Sequence, residues 1–391
     1  MRRIVSLDGL RFFAAMLVVF GHIHIKCIPI KNPWANWVYF EMRSVGMTLF
    51  FILSGFVISV NYKTLGKNGC SLIQYFVHRF SRIYPLFFLI FIYEFLFSTT
   101  WPKEITQKEI SLVFYSYLTL THAWFFDNIG NKIFSILIFG VSWSLSVEFF
   151  FYLTYPFIQK VFKSLEIKDF KIFLYVFILI FFIVLFIYYQ LNFAEAISQG
   201  ADFDYGEIRW FVYFSPYLSV FEFIIGCIVA RIYLQAPSEW TPFECRFRKW
   251  FLALAVMSLF LLYAITMYRM HPEPYVQYEA FYLLSRTLSP PLAYIVFYTA
   301  RYIRVSKGQK LFTLAGELSY PIYLVHWTFF ERMFGVTPLN SALIYGITIA
   351  YMLIFLFCFS YGLFQLYDLP VRTVVRRKLT QWLCPAQLDK N

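Results

Sequence analysis

Runs of apolar residues separated by short polar stretches recur along the whole chain. Windows long enough to cross a bilayer fall at about 8–26, 42–60, 83–98, 142–159, 172–190, 209–231, 250–269, 283–301, 312–330 and 341–367. They predict an all-α, polytopic membrane bundle of about ten transmembrane helices. A shorter aromatic stretch, Ile110 to Phe126, is assigned to the outer surface. After Pro370 the pattern changes. Val371, Val374, Val375, Leu379 and Trp382 fall near one helical face, with Arg376, Arg377 and Lys378 between them. That pattern predicts a basic amphipathic helix lying on the inner membrane surface. The organisation is then one transmembrane domain over residues 1–369 and a basic cytoplasmic tail over 370–391.

Composition sharpens this picture. Of the 391 residues, 60% are hydrophobic, 23% aromatic and only 14% charged, with a mean hydropathy of +0.61. A soluble domain carries about 25% charged residues. The net charge of +12 points to asymmetric loops rather than to nucleic acid. With the N-terminus inside, most basic residues collect in the inner segments: Arg79 and Arg82, the lysines from 160 to 171, Arg246 to Lys249, Arg301 to Lys310, and the tail. The acidic group Glu195, Asp202, Asp204 and Glu207 falls outside. The alternation predicts ten helices in the cell (inner) membrane with both termini cytoplasmic; an eleventh would reverse the later basic loops. Arg2 and Arg3 precede a long segment without a small-x-small cleavage site, so the first helix reads as retained rather than as a cleaved signal. Six cysteines show neither CxxC spacing nor a metal pattern, and neither an internal disulfide nor a metal site is expected.

Against that apolar background the ionisable residues stand out. His22 follows Arg11 by eleven residues, three helical turns, so both share one face and lie about 16 Å apart along the axis. An arginine at the bilayer centre costs roughly 2.5–3.5 kcal/mol even on lenient scales. A helix holding both groups on one stripe is expected to line a polar site, although snorkelling of Arg11 and a carbonyl bond to His22 are the plainer alternative. His24 falls on another face.

Arg79-Phe-Ser-Arg82-Ile-Tyr-Pro85 puts two arginines just before a helix that is expected to begin near Pro85. An anion such as a phosphate would reconcile them with the positive helix end; a topology anchor on lipid phosphate is the alternative. In the fourth window Ser144, Glu148, Tyr152 and Tyr155 form a polar stripe. Glu148 is expected at the depth of His22, which is an available partner for an intramembrane carboxylate. Glu222 is a further intramembrane acid with a structural, relay or substrate role. His326, in the ninth window, either completes the site or caps the bundle.

Five of these segments resemble, in chain order, the signatures of the acyltransferase 3 family of integral membrane acyltransferases. They are Leu7-Asp-Gly-Leu-Arg11 with His22, Val45 to Phe56, Arg79-x-x-Arg82-x-x-Pro85, Ser142-Trp-Ser-Leu-Ser-Val-Glu148, and Ser319-Tyr-Pro-Ile-Tyr-Leu-Val-His326. Two features depart from the pattern: Phe149 and Phe150 follow the glutamate where polar residues are frequent, and the fused extracytoplasmic domain of some members has no counterpart. The resemblance implies an acyl-CoA donor, usually acetyl-CoA, with no permanently bound cofactor. It also implies a sugar hydroxyl as acceptor, on a surface or exported glycan such as a lipopolysaccharide or other cell-envelope polysaccharide. In that scheme Arg79 and Arg82, with Arg11, hold the coenzyme A phosphates. His22 acts as general base and Glu148 stabilises the imidazolium; an acyl-His intermediate is the alternative to direct transfer. Ser144, Tyr152, Glu222, Tyr320 and His326 take supporting positions. Lipids are the other partner, nucleic acid is not, and oligomeric state leaves no trace in the sequence.

A transporter or flippase for an anionic or sugar-linked substrate would use the same buried charges. Against it, the two halves show no internal repeat and no long helix is broken at its centre. A scaffold or receptor would leave the Arg11/His22 and Glu148 stripes without a purpose.

Overall fold

A computed structural model describes residues 3–27, 33–63, 65, 69–98, 101–102, 104–129, 132–163, 165–166, 177–180, 183, 187, 205–235, 286, 288–333 and 342–384. The chain is mostly helical. Helices α1 (Val5–Cys27), α2 (Pro33–Asn61) and α3 (Gly69–Phe97) are followed by the short α4 (Gln107–Leu118). A two-residue hairpin, β1 (Asn128–Ile129) against β2 (Lys132–Ile133), leads into α5 (Trp143–Phe162). Further on come α6 (Tyr205–Arg209), a π-helical turn at Trp210–Phe214, α7 (Pro216–Gln235), α8 (Ser289–Tyr302) and α9 (Gln309–Met333). Last are α10 (Ala342–Leu363), a second π turn at Phe364–Asp368, and α11 (Leu369–Leu383).

Five described segments are long and apolar enough to cross a membrane: Val5–Ile23, Met42–Asn61, Ser71–Phe97, Trp210–Gln235 and Gly346–Leu383. Helices α5 and α9 occupy the predicted windows 142–159 and 312–330 but carry more polar residues. The windows 172–190 and 250–269 fall almost wholly outside the described residues, as does the first part of 283–301, so the described bundle neither adds to nor subtracts from ten. The first part of the 110–126 stretch lies in α4, at about 18 Å too short to span, and turns follow from Thr119. A capping box starts it: the Thr106 hydroxyl accepts from the Glu109 N–H, and the Glu109 carboxylate accepts from the Thr106 N–H.

Two packings organise the centre. Helix α1 lies between α2 and α9, and α2 lies against α7. At the second crossing the backbones nearly touch. A Cβ on Gly55 would stand 2.0 Å from the Phe223 carbonyl oxygen, and one on Gly226 2.1 Å from that of Ile52. In an apolar medium such close approach gains dispersion along both helices, which only small residues permit.

Three differences from the expected elements matter. Pro85 lies inside α3 rather than in its first turn, so Arg79 and Arg82 are mid-helix residues. The helix tolerates the proline by giving up one backbone bond, and the polar turns before it continue the same helix rather than forming a loop. Helices α5 and α9 likewise run through Pro156 and Pro321. The segment after Pro370 is helical, but it docks along α3 and continues from α10 through the π turn. Finally, Cys384 is disulfide-bonded, where no internal disulfide was expected. Spacing of cysteines alone does not reveal which of them pair. Cys227 and Cys358 are free.

Candidate active site

Arg11 and His22 both face α9 from α1. His326, fully buried on α9, presents Nε2 at 2.9 Å from Nδ1 of His22, with the rings stacked 5.0 Å apart. The other nitrogen of His326, Nδ1, lies 2.6 Å from the Tyr323 carbonyl. A carbonyl only accepts, so His326 carries its proton on Nδ1 and offers a lone pair at Nε2. His22 must then donate from Nδ1, and in the neutral ring its own lone pair sits on Nε2. Trp327 meets the His22 ring edge-on at 5.2 Å between centroids. One carbonyl anchor, passed on through His326, thus sets the tautomer of His22.

The polar stripe of α5 lies next to this pair. Ser144 Oγ and the Tyr323 hydroxyl are 2.6 Å apart, and both also reach the Val141 carbonyl. Glu148 accepts from the Tyr152 hydroxyl at 2.6 Å and from Ser54 at 3.2 Å. The anticipated pairing of His22 with Glu148 is therefore replaced: His22 meets His326, and Glu148 faces a different cavity. The rotation of α5 decides this, since it aims Glu148 at α2 and α3.

That cavity, about 70 Å³, is lined by Arg11, Arg79, Arg82, Ser54, Ser144, Glu148, Tyr320 and Tyr323, among others. A wider one of about 360 Å³ adjoins it and shares Arg11, Arg79 and Arg82; its other polar lining comes from Arg3, Asp8, Asn61, Glu317 and Arg376. The three arginines thus stand between a vestibule and an inner chamber. Arg79 lies over the rings of Tyr62 and Tyr152 at 5.0 and 5.9 Å, a cation–π cradle in place of a carboxylate. Beside Arg82, the Tyr320 hydroxyl donates to the Ile83 carbonyl at 2.5 Å and ties α9 to α3. Arg11 meets Asp8 at 3.4 Å.

Several contributing residues were not singled out in the sequence. Asp8 binds Arg3 at 2.6 Å, and Glu317 binds Arg3 at 3.0 Å and Arg372 at 3.1 Å. Asp8 sits inside the Leu7–Arg11 motif and Glu317 two residues before the Ser319–His326 motif, and these positions were the available signal. Glu222 turns away from both cavities and is bonded to Arg286, Thr48 and Ser289. Arg286 also donates to the carbonyls of Val212 and Tyr213 in the first π turn. Glu222 is thereby part of a buried brace that closes the backbone bonds of that turn. The side chain of His24 lies outside the described residues.

Residues 4–365 match the family described as an acyltransferase domain. Among similar proteins, the peptidoglycan O-acetyltransferase OatA of Listeria monocytogenes is 24% identical over 82% of this chain and 48% of its own length. Nodulation protein 10 of Rhizobium leguminosarum is 27% identical over 40% and 45%, and the acyltransferase MdmB of Streptomyces mycarofaciens is 24% identical over 59% and 57%. The chain spans about half the length of these relatives. No solved structure matches it. The matched stretch takes in the histidine pair and every residue named in the two cavities except Arg3 and Arg376, and the chain belongs to the acyltransferase 3 family.

Proposed function

We propose that this integral membrane acyltransferase moves an acyl group, acetyl, from acyl-CoA on the cytoplasmic side to a hydroxyl of a surface or exported glycan. One observation carries the reading: a vestibule and chamber joined by three arginines lie on the helices that also hold an imidazole of fixed tautomer. Guanidinium groups suit phosphates, and the narrow chamber suits an extended thioester arm. The names of the relatives, two of which denote acyl transfer, support the class of reaction.

In this scheme His22 Nε2 takes the proton of the acceptor hydroxyl. The oxygen attacks the thioester carbonyl, the new ester C–O bond forms and the C–S bond breaks. The coenzyme A thiolate leaves and recovers the proton from the imidazolium. His326 Nε2 accepts the hydrogen bond from His22 Nδ1 throughout, as the orienting group of a triad does. Glu148 lines the chamber with the arginines and accepts from Tyr152. A transient acyl-His22 is the two-step variant of the same chemistry.

Purified protein in liposomes with labelled acetyl-CoA, supplied with glycans from the producing cell, tests the reading. Label should pass to the glycan, and mass spectrometry of surface glycans from cells with and without the protein should differ by one acetyl group. Uptake of a glycan without consumption of the donor would instead show a transporter.

A further inference from the structure

The helix that follows the family-matched stretch, α11, completes the vestibule. Arg372, at the end of its first turn, binds Glu317 of α9 at 3.1 Å, and just before the helix the Tyr367 hydroxyl donates to the Pro85 carbonyl of α3 at 3.2 Å. These two ties hold α11 against the mouth of the cavity. One turn beyond Arg372, Arg376 joins the vestibule lining.

The charges around that space do not balance. Asp8 and Glu317 are occupied by Arg3, Arg11 and Arg372. Among the described residues, no carboxylate lies within ion-pair distance of Arg79, Arg82 or Arg376, and all three guanidinium groups border one cavity. Their order matters. Arg79 and Arg82 line both chamber and vestibule, whereas Arg376 lines the vestibule alone. A ligand whose reactive end lies in the chamber therefore meets Arg79 and Arg82 first and Arg376 last.

We propose that Arg376 is a donor-specificity residue that binds the phosphate of coenzyme A farthest from the thioester, the 3′-phosphate of the ribose, while Arg79 and Arg82 hold the pyrophosphate. The assignment rests on the acyl-CoA reading above. It gives α11 a part in donor recognition beyond that of a surface anchor. Arg376 is exposed, so its replacement leaves the packed core intact.

The test measures binding, which requires no acceptor. The full chain in phosphatidylcholine vesicles is titrated with CoA and with 3′-dephospho-CoA. The unaltered protein should bind dephospho-CoA about tenfold more weakly, the scale of one charge-assisted contact. Arg376→Ala should bind CoA about tenfold more weakly and lose the discrimination between the two. Arg377→Ala, whose side chain is not part of the vestibule lining, should keep it. Equal binding of both ligands by the unaltered protein, or undiminished discrimination in Arg376→Ala, would overturn the assignment alone. Binding of neither ligand would overturn the acyl-CoA reading and this assignment with it. Repeating the titration with phosphatidylglycerol vesicles separates a lipid phosphate as occupant: the Arg376 effect would then follow lipid charge and ignore the 3′-phosphate.

Discussion

His22 and His326 stand 304 positions apart in sequence, yet Nδ1 of one and Nε2 of the other are 2.9 Å apart. Because the second ring is anchored on the Tyr323 carbonyl, the pair behaves as a proton-ordered unit with the lone pair of His22 on Nε2. Replacing His22 by Ala should lower transfer by roughly 10²–10⁴, the usual value of a positioned general base. His326→Phe should lower the turnover rate with little change in the donor concentration required. His326→Gln, whose amide oxygen can still accept from Nδ1, should recover part of the loss. Steady-state rates at equal membrane abundance check this; full activity in His326→Phe would remove the orienting role.

Arg82 lines both cavities. Its replacement by Ala should raise the donor concentration for half-maximal rate on the order of tenfold, as one charge-assisted contact would. Acetyl-pantetheine, which lacks the nucleotide phosphates, should be a poor donor for both proteins and should distinguish them little. An unchanged dependence on acetyl-CoA in Arg82→Ala would count against phosphate binding at this position.

The Arg286–Glu222 brace is buried on both sides, with side chains 3% and 0% exposed. Removing one partner strands a charge, at a cost of about 3–5 kcal/mol. Arg286→Ala should therefore lower thermal stability in detergent sharply. The double replacement Arg286→Met with Glu222→Leu should be milder than either single change, because no charge is left unpaired. Near-additive single and double effects would contradict the brace.

The crossing of α2 and α7 leaves no room for a side chain at Gly55 or Gly226. Gly226→Ala should force the helices apart and destabilise the bundle by about 1–3 kcal/mol. Gly346→Ala, with nothing within 4 Å of the added carbon, is the control and should leave stability near that of the parent. Melting curves of the three proteins compare them directly.

Part of the candidate site is legible in the sequence. Arg11 and His22 lie on one face because helical periodicity is local, and polar residues in apolar windows are costly enough to mark an interior. Arg79 and Arg82 stood out because two cations before a positive helix end call for an anion, although the helix start that Pro85 suggested is overridden by the continuous α3. Partners were not legible. Glu148 looked like the match for His22 because depth along a helix can be read from spacing, whereas azimuth relative to another helix cannot. His326 and Arg286 find their partners through packing of helices far apart in the chain.

By itself, the sequence determined that the chain is helical, membrane-embedded and charged at a few costly positions, because backbone bonding in lipid and the penalty on buried charge act residue by residue. Which imidazole faces which, and which arginines share a cavity, belonged to the tertiary structure alone. Those outcomes depend on the rotation of each helix about its own axis, which close packing at contacts such as Gly55 and Gly226 decides across the whole bundle at once.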